Sequence, residues 1–125
     1  MKNRVPKILQ RWVGLIAKGN PKQQTKLYSR KAILLATFEP MLMGQKAIYG
    51  YMVEFLDKPN MECEILKNVL QIDYDRDTKI ASGIYRFTFD NEKNRKRENV
   101  LARYTFVINR GKIINHHSSV LPEGQ

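Results

Sequence analysis

Residues 80–90 read IASGIYRFTFD, residues 98–108 read ENVLARYTFVI, and residues 113–120 read IINHHSSV. All three alternate apolar with polar positions and are rich in β-branched and aromatic residues. That period of two, interrupted by turn chemistry, predicts three long neighbouring antiparallel strands. Gly83, Tyr85, Phe87 and Phe89 fall on one face of the first strand, and Ile84, Arg86 and Thr88 on the other. In the second, Val100, Ala102, Tyr104, Phe106 and Ile108 oppose Leu101, Arg103, Thr105 and Val107. One sheet face is thus nearly all apolar. The other is mixed, with one arginine on each strand. The NRGK turn at 109–112 supplies hairpin chemistry through Gly111.

Upstream the period changes. Val5, Ile8, Leu9, Trp12, Val13 and Ile16 recur at spacings of three and four, which predicts an amphipathic helix. Pro6 suits its first turn, and Gly19 suits a left-handed stop. Asn20 is placed to cap a second helix with Pro21 at its first position and Leu27 and Tyr28 as inward residues. The run Ala32 to Phe38, ended by Pro40, reads as a buried strand. Ile48, Tyr51, Met52, Phe55 and Leu56 restore the helical spacing up to Lys58-Pro59. Gly50 inside this helix costs about 1 kcal/mol relative to alanine, which points to close packing on the sheet. Met61 to Tyr74 reads as strand, with Leu70, Ile72 and Tyr74 on one face, and Asp75 to Thr78 as a turn. Two or three helices followed by a run of strands is an α+β fold. The 125 residues make a single domain, 1–125, large enough for its own core.

Composition narrows the function classes. Cys63 is alone, so no internal disulfide forms, and a metal site built on cysteines is excluded. His116 and His117 are the two histidines, and neighbours on a strand point to opposite faces, so they do not share an ion. No metal and no cofactor is expected. Lys7, Gln10 and Arg11 interrupt the first apolar stripe, which spoils a signal-peptide core, and no run approaches a membrane span. The expected location is cytoplasmic. The formal charge is +10 and uneven: Lys2, Arg4, Lys7, Arg11, Lys18, Lys22, Lys26, Arg30 and Lys31 all precede the first acid, Glu39. A second cluster is Lys93, Arg95, Lys96 and Arg97. Either these are solvated faces of a basic protein, or they form a footprint for nucleic acid or an acidic protein surface. With few aromatics interleaved for base stacking, nucleic-acid binding is expected to be weak and non-specific.

GIYRFTF, ARYTFV and the terminal HHSSVLPE resemble the closing strands of the SgcJ/EcaC family, within the nuclear transport factor 2-like (SnoaL-like) superfamily. The same strands are similar to the association, or hub, domain of calcium/calmodulin-dependent protein kinase II, and ATFEP resembles the start of a segment of that domain. The likeness runs from Val5 to Glu123 and is specific over about the last forty residues. It implies a nuclear transport factor 2-like cone, with a curved antiparallel sheet wrapped around two or three helices and a pocket inside. It implies less about activity, because this fold hosts isomerases, cyclases, hydratases, binding modules and assembly domains.

In the hub domain the matching strand positions carry arginines that line the cavity and bind carboxylates. The resemblance transfers that role to Arg86 and Arg103; a further hub arginine falls near Ser118 here and is missing. The alternative places both arginines on an exposed or intersubunit sheet face. His116 and His117 are the next ligand-binding candidates: one of them faces the pocket as a hydrogen-bond donor or base, or else the pair is structural. Tyr85 and Tyr104 share the apolar parity and read as packing. Glu39, Glu54 and Asp73 are acids without a motif. No catalytic motif, redox-cofactor motif or kinase motif is present. The preferred function is therefore a homo-oligomeric association domain, dimer or larger, with a pocket for a small anion or carboxylate. A SnoaL-like acid–base enzyme and a binder of nucleic acid or acidic surfaces are the alternatives.

Overall fold

The computed structural model describes residues 4–122. Lys2 of the basic cluster and Glu123 of the terminal motif lie outside the described residues. Among the described residues three helices, α1 (Lys7–Ile16), α2 (Pro21–Lys26) and α3 (Gln45–Phe55), accompany six strands. These are β1 (Tyr28–Leu35), β2 (Leu42–Met43), β3 (Glu62–Asp73), β4 (Thr78–Asp90), β5 (Arg97–Asn109) and β6 (Lys112–Val120). They form one curved, open sheet in the order β2-β1-β6-β5-β4-β3.

The alternation read from 80–120 sets the sheet. β4 pairs with β5 along its whole length, with Tyr85 opposite Ala102 and Gly83 opposite Tyr104. β5 pairs with β6, Phe106 opposite His116 and Thr105 opposite His117. Arg110 (φ 50°) and Gly111 (φ 79°) make the two-residue turn between them; positive φ at both centres is the primed geometry that matches strand twist. The inner face carries Ala81, Tyr85, Phe87, Ala102, Tyr104, Phe106 and Ile108, all buried. The helices close over it. α1 lays Leu9, Trp12, Leu15 and Ile16 into the core and meets β3, while α3 contributes Ile48 and Met52 beside β1.

Local chemistry explains the boundaries. Gly19 (φ 62°) breaks the chain after α1, and the Asn20 side chain accepts from the Gln23 amide at 3.1 Å, with Pro21 opening α2. β3 bulges between Ile65 and Lys67, which brings the Lys67 carbonyl over Gly83. A Cβ at Gly83 would lie 1.8 Å from that oxygen, so only glycine fits there.

Four expectations are corrected. The sheet is not wholly antiparallel, because β1 runs parallel to β6. β1 starts at Tyr28, not Ala32, and stops at Leu35; Phe38 stands exposed in the following turn. The register puts Leu34 beside the buried His116, so the pairing with β6 decides which part of the apolar run becomes strand. Gly50 does not pack on the sheet: beyond its chain neighbours and its own helix backbone, no atom lies within 4 Å of where its Cβ would be. Tyr74 lies beyond the end of β3 and is exposed, whereas Leu70 is buried and Ile72 half-buried.

Candidate functional site

The cone encloses a cavity of about 260 Å³ between α1, α3 and the inner face of β4–β6. Its wall is mainly apolar, including Leu34, Met52, Phe55, Met61, Phe87 and Phe89. Trp12, Tyr85, His116 and Ser118, whose side chains carry polar atoms, also line it. Glu39, Glu54 and Lys58 also border it and are exposed, so they form its rim. The Lys58 ammonium lies over the rings of Phe55 and Phe89, at 5.8 and 5.9 Å from their centroids.

The polar groups at the inner end form one chain. Trp12 Nε1–H donates to the Tyr28 hydroxyl at 3.0 Å. That hydroxyl lies 2.8 Å from His116 Nδ1, and His116 Nε2 lies 3.1 Å from the Tyr85 hydroxyl. The indole can only donate, so the Tyr28 oxygen accepts from it; Tyr28 is fully buried, and its own proton is paired only if it goes to Nδ1. His116 is therefore the Nε2–H tautomer and donates to Tyr85. Burial lowers the His116 pKa to about 3, with a smaller push from His117, so the ring is neutral near pH 7. Burial likewise pushes the phenols of Tyr28 and Tyr85 well up, and that of Tyr51 to about 12 with help from the Glu39 charge. The cluster consists of neutral donors. Both His116 nitrogens are engaged, so no imidazole lone pair is free to act as a base.

Aromatic packing fixes the chain in place. Phe106 stacks on His116 at 3.8 Å between centroids, and Trp12 packs edge-on to both His116 and Phe106 at 5.3 Å.

The four site residues read from the sequence divide between the two sheet faces. His116 is on the inner face and lines the cavity. His117, Arg86 and Arg103 are on the outer face. Arg86 pairs with Glu64 across the β3–β4 ladder at 2.5 Å, and Arg103 Nε donates to Ser119 Oγ at 3.3 Å. Neither guanidinium reaches the cavity. The reason is parity: Arg86 lies between the inward Tyr85 and Phe87, and Arg103 between the inward Ala102 and Tyr104. Of the three acids, Glu39 and Glu54 reach the cavity rim, while Asp73 pairs with Arg76 at the β3–β4 turn. Cys63 is mostly buried, and burial pushes its thiol to about 12, beyond any ordinary reactivity.

Reading from sequence missed Trp12, Tyr28, Tyr85 and Ser118 as polar members of the site. Tyr85 was readable in part, since its inward parity is also that of His116 once β5 pairs with β6. The sequence spacing puts Tyr28 on α2, which hides its place beside His116.

This is a nuclear transport factor 2-like cone: a curved sheet folded over helices, with an internal cavity. The family model for the calcium/calmodulin dependent protein kinase II association domain matches residues 1–122, and the chain belongs to that family. A solved structure from Xanthomonas campestris, described as such an association domain, is 31% identical with a TM-score of 0.84, covering 98% of this chain and 96% of that one. A Streptomyces avermitilis protein of the NTF2-like family, described as a dehydratase, superposes with a TM-score of 0.82 at 11% identity over 91% of each chain. A Bacillus subtilis protein described as an isomerase gives 0.72 at 15% identity, covering 93% of this chain and 85% of that one. At those two identities the likeness is one of fold. No curated protein matches the chain.

Proposed function

We propose that the chain is a self-associating cone domain, built for assembly and not for catalysis, with a small-ligand cavity in each subunit. The observation that carries this is the outer face of β3–β6. There Ile84 and Val107 are half-buried and Leu101 is 38% exposed, interleaved with Arg86, Arg103 and Thr105. Nothing in the described chain covers this face, because all three helices lie on the other side. Apolar β residues with embedded arginines match the composition of protein interfaces. A twofold pairing of this face with itself is the simplest closed form. Membership of a family described as an association domain supports the same reading. So does the relative from X. campestris. The lone Cys63 fits a reducing, cytoplasmic setting.

The arginines belong to this face. Glu64 already neutralises Arg86, so a carboxylate has no need to be supplied there by a ligand. Among the described residues the cavity wall holds no arginine, which removes the guanidinium pair a carboxylate would need inside the cone.

Light scattering after size exclusion tests the assembly. The wild type should run as a dimer or larger at about micromolar concentration. The double variant Ile84→Glu/Leu101→Glu should dissociate while its circular dichroism stays unchanged, since neither side chain reaches the core. A monomeric wild type would sink the reading.

A further inference from the structure

The proton count at the inner end of the cavity reaches beyond a bare pocket. His116 Nε2–H donates to the Tyr85 oxygen, so the Tyr85 hydroxyl proton must point elsewhere. The Tyr85 hydroxyl bonds His116 alone among the described side chains, and the Ser118 and Thr37 hydroxyls are 3.1 Å apart and bond each other. Thr37, Ser118 and Tyr85 all line the cavity. Three hydroxyl protons therefore share one bond among themselves. However the hydroxyls rotate, at least one proton has no acceptor in this trio. The relay from Trp12 through Tyr28 and His116 fixes that excess, because the indole at its start can only donate.

The wall around this donor is apolar, and its charges are two carboxylates and one ammonium, all at the rim. An anion entering would meet no internal cation and a rim that is net negative. A pure hydrocarbon would leave the spare donor unpaired, at a cost in affinity. A neutral molecule with one acceptor oxygen satisfies both conditions. The volume of about 260 Å³ equals roughly nine waters at ~30 Å³ each, which suits a molecule the size of one substituted ring.

We propose that the cavity binds a small uncharged, mostly apolar carbonyl compound, its oxygen accepting from the Tyr85–Ser118–Thr37 hydroxyl cluster. This rests on the cavity being a ligand site, as proposed above. Tyr85 presents its proton because His116 holds the oxygen from behind, and Trp12 and Tyr28 hold His116 in the donating tautomer. Tyr28 and His116 are positioning residues in this scheme.

Three probes of matched size test it on the wild-type protein by isothermal titration: acetophenone, isopropylbenzene and benzoate. Acetophenone should bind at least about fivefold more tightly than isopropylbenzene, the worth of one net hydrogen bond. Benzoate should bind at least about tenfold more weakly than acetophenone. Tyr85→Phe and Ser118→Ala, each checked for folding by circular dichroism, should shrink the preference for acetophenone over isopropylbenzene. Benzoate binding as tightly as acetophenone, or no preference between ketone and hydrocarbon in the wild type, would overturn the ligand class while leaving a ligand site standing. Binding of none of the three at millimolar concentration would overturn the ligand site as well. Neither result bears on assembly, which light scattering reads separately.

Discussion

Acid should destabilise this protein through one buried ring. The His116 side chain is 3% exposed, and its pKa falls from an ordinary 6.5 to about 3, chiefly because burial disfavours the charged form. The unfolded chain takes up that proton near 6.5. Between the two values the unfolded state holds the extra proton and the folded state does not, so stability rises with pH across this window. The contribution is complete above about pH 6.5 and is lost as pH falls toward 3. The values differ by about 3.5, and each whole pH unit carries about 1.4 kcal/mol, so at most roughly 5 kcal/mol is at stake. That is comparable with the whole stability of a small domain, ~5–15 kcal/mol. Urea unfolding at several pH values between about 4 and 7 measures it, comparing the wild type with His116→Gln. The glutamine carbonyl can accept from Tyr28 and its amide can donate to Tyr85, but it does not titrate. Carboxylate pairs and the self-repulsion of a chain carrying +10 act alike in both proteins. The wild type should therefore lose about 1.4 kcal/mol more per pH unit than the variant between pH 5.5 and 4. Parallel pH profiles for the two proteins would refute the assignment of a neutral, buried His116. Ring resonances of His116 that titrate near 6.5 in the folded protein would refute it independently.

Three further outcomes are expected. Gly83→Ala places a methyl against the Lys67 carbonyl, so the β3 bulge must move; a loss at or above the top of the ~1–3 kcal/mol range for overpacking should show in urea melts, and a wild-type midpoint would mean the bulge is soft. Asn20→Ala removes the side-chain acceptor of the Gln23 amide and should cost about 1 kcal/mol by the same measurement, whereas a neutral result would mean that water caps α2 equally well. Binding to mixed-sequence oligonucleotides, read by fluorescence anisotropy, should fall steeply with salt and show no preferred sequence; a clear preference at physiological salt would make the basic N-terminal half a recognition surface.

The strands and helices were legible because their signals are local. Period-two alternation through Tyr85–Phe87–Phe89 and Ala102–Tyr104–Phe106 needs no tertiary information to name its apolar side. The Asn20–Pro21 start of α2 is likewise carried by adjacent residues. The misses depend on distant partners. β1 is set by its parallel pairing with β6, some eighty residues away in sequence, and that pairing claims Tyr28 and releases Phe38. The relay from Trp12 to Tyr28, His116 and Tyr85 joins two helical-looking or apolar residues to two strand residues that no spacing rule connects. The aromatic character of Trp12 and Tyr85 also hid them, because each packs as a core residue while its one side-chain polar atom joins the relay.

The arginines show where a resemblance and the pleat conflict, and why the pleat prevails. Arg86 alternates with Tyr85 and Phe87, and a strand that buries both of those neighbours must turn Arg86 outward. Bringing it inward would need a one-residue slip that expels Tyr85 and Phe87 together, or a bulge beside it. The β4–β5 register runs unbroken from Thr78 to Asp90, so neither occurs. The same reasoning divides the histidines, sending His116 to the cavity and His117 to the outer face. Each residue of the regular β4–β5 ladder is thereby committed either to the inner or to the outer face of the sheet. The inward set here is aromatic and hydroxylic, which defines a neutral, donor-bearing interior. The outward set holds the guanidinium groups of Arg86 and Arg103, so the charge of these two positions lies on the sheet face away from the cavity.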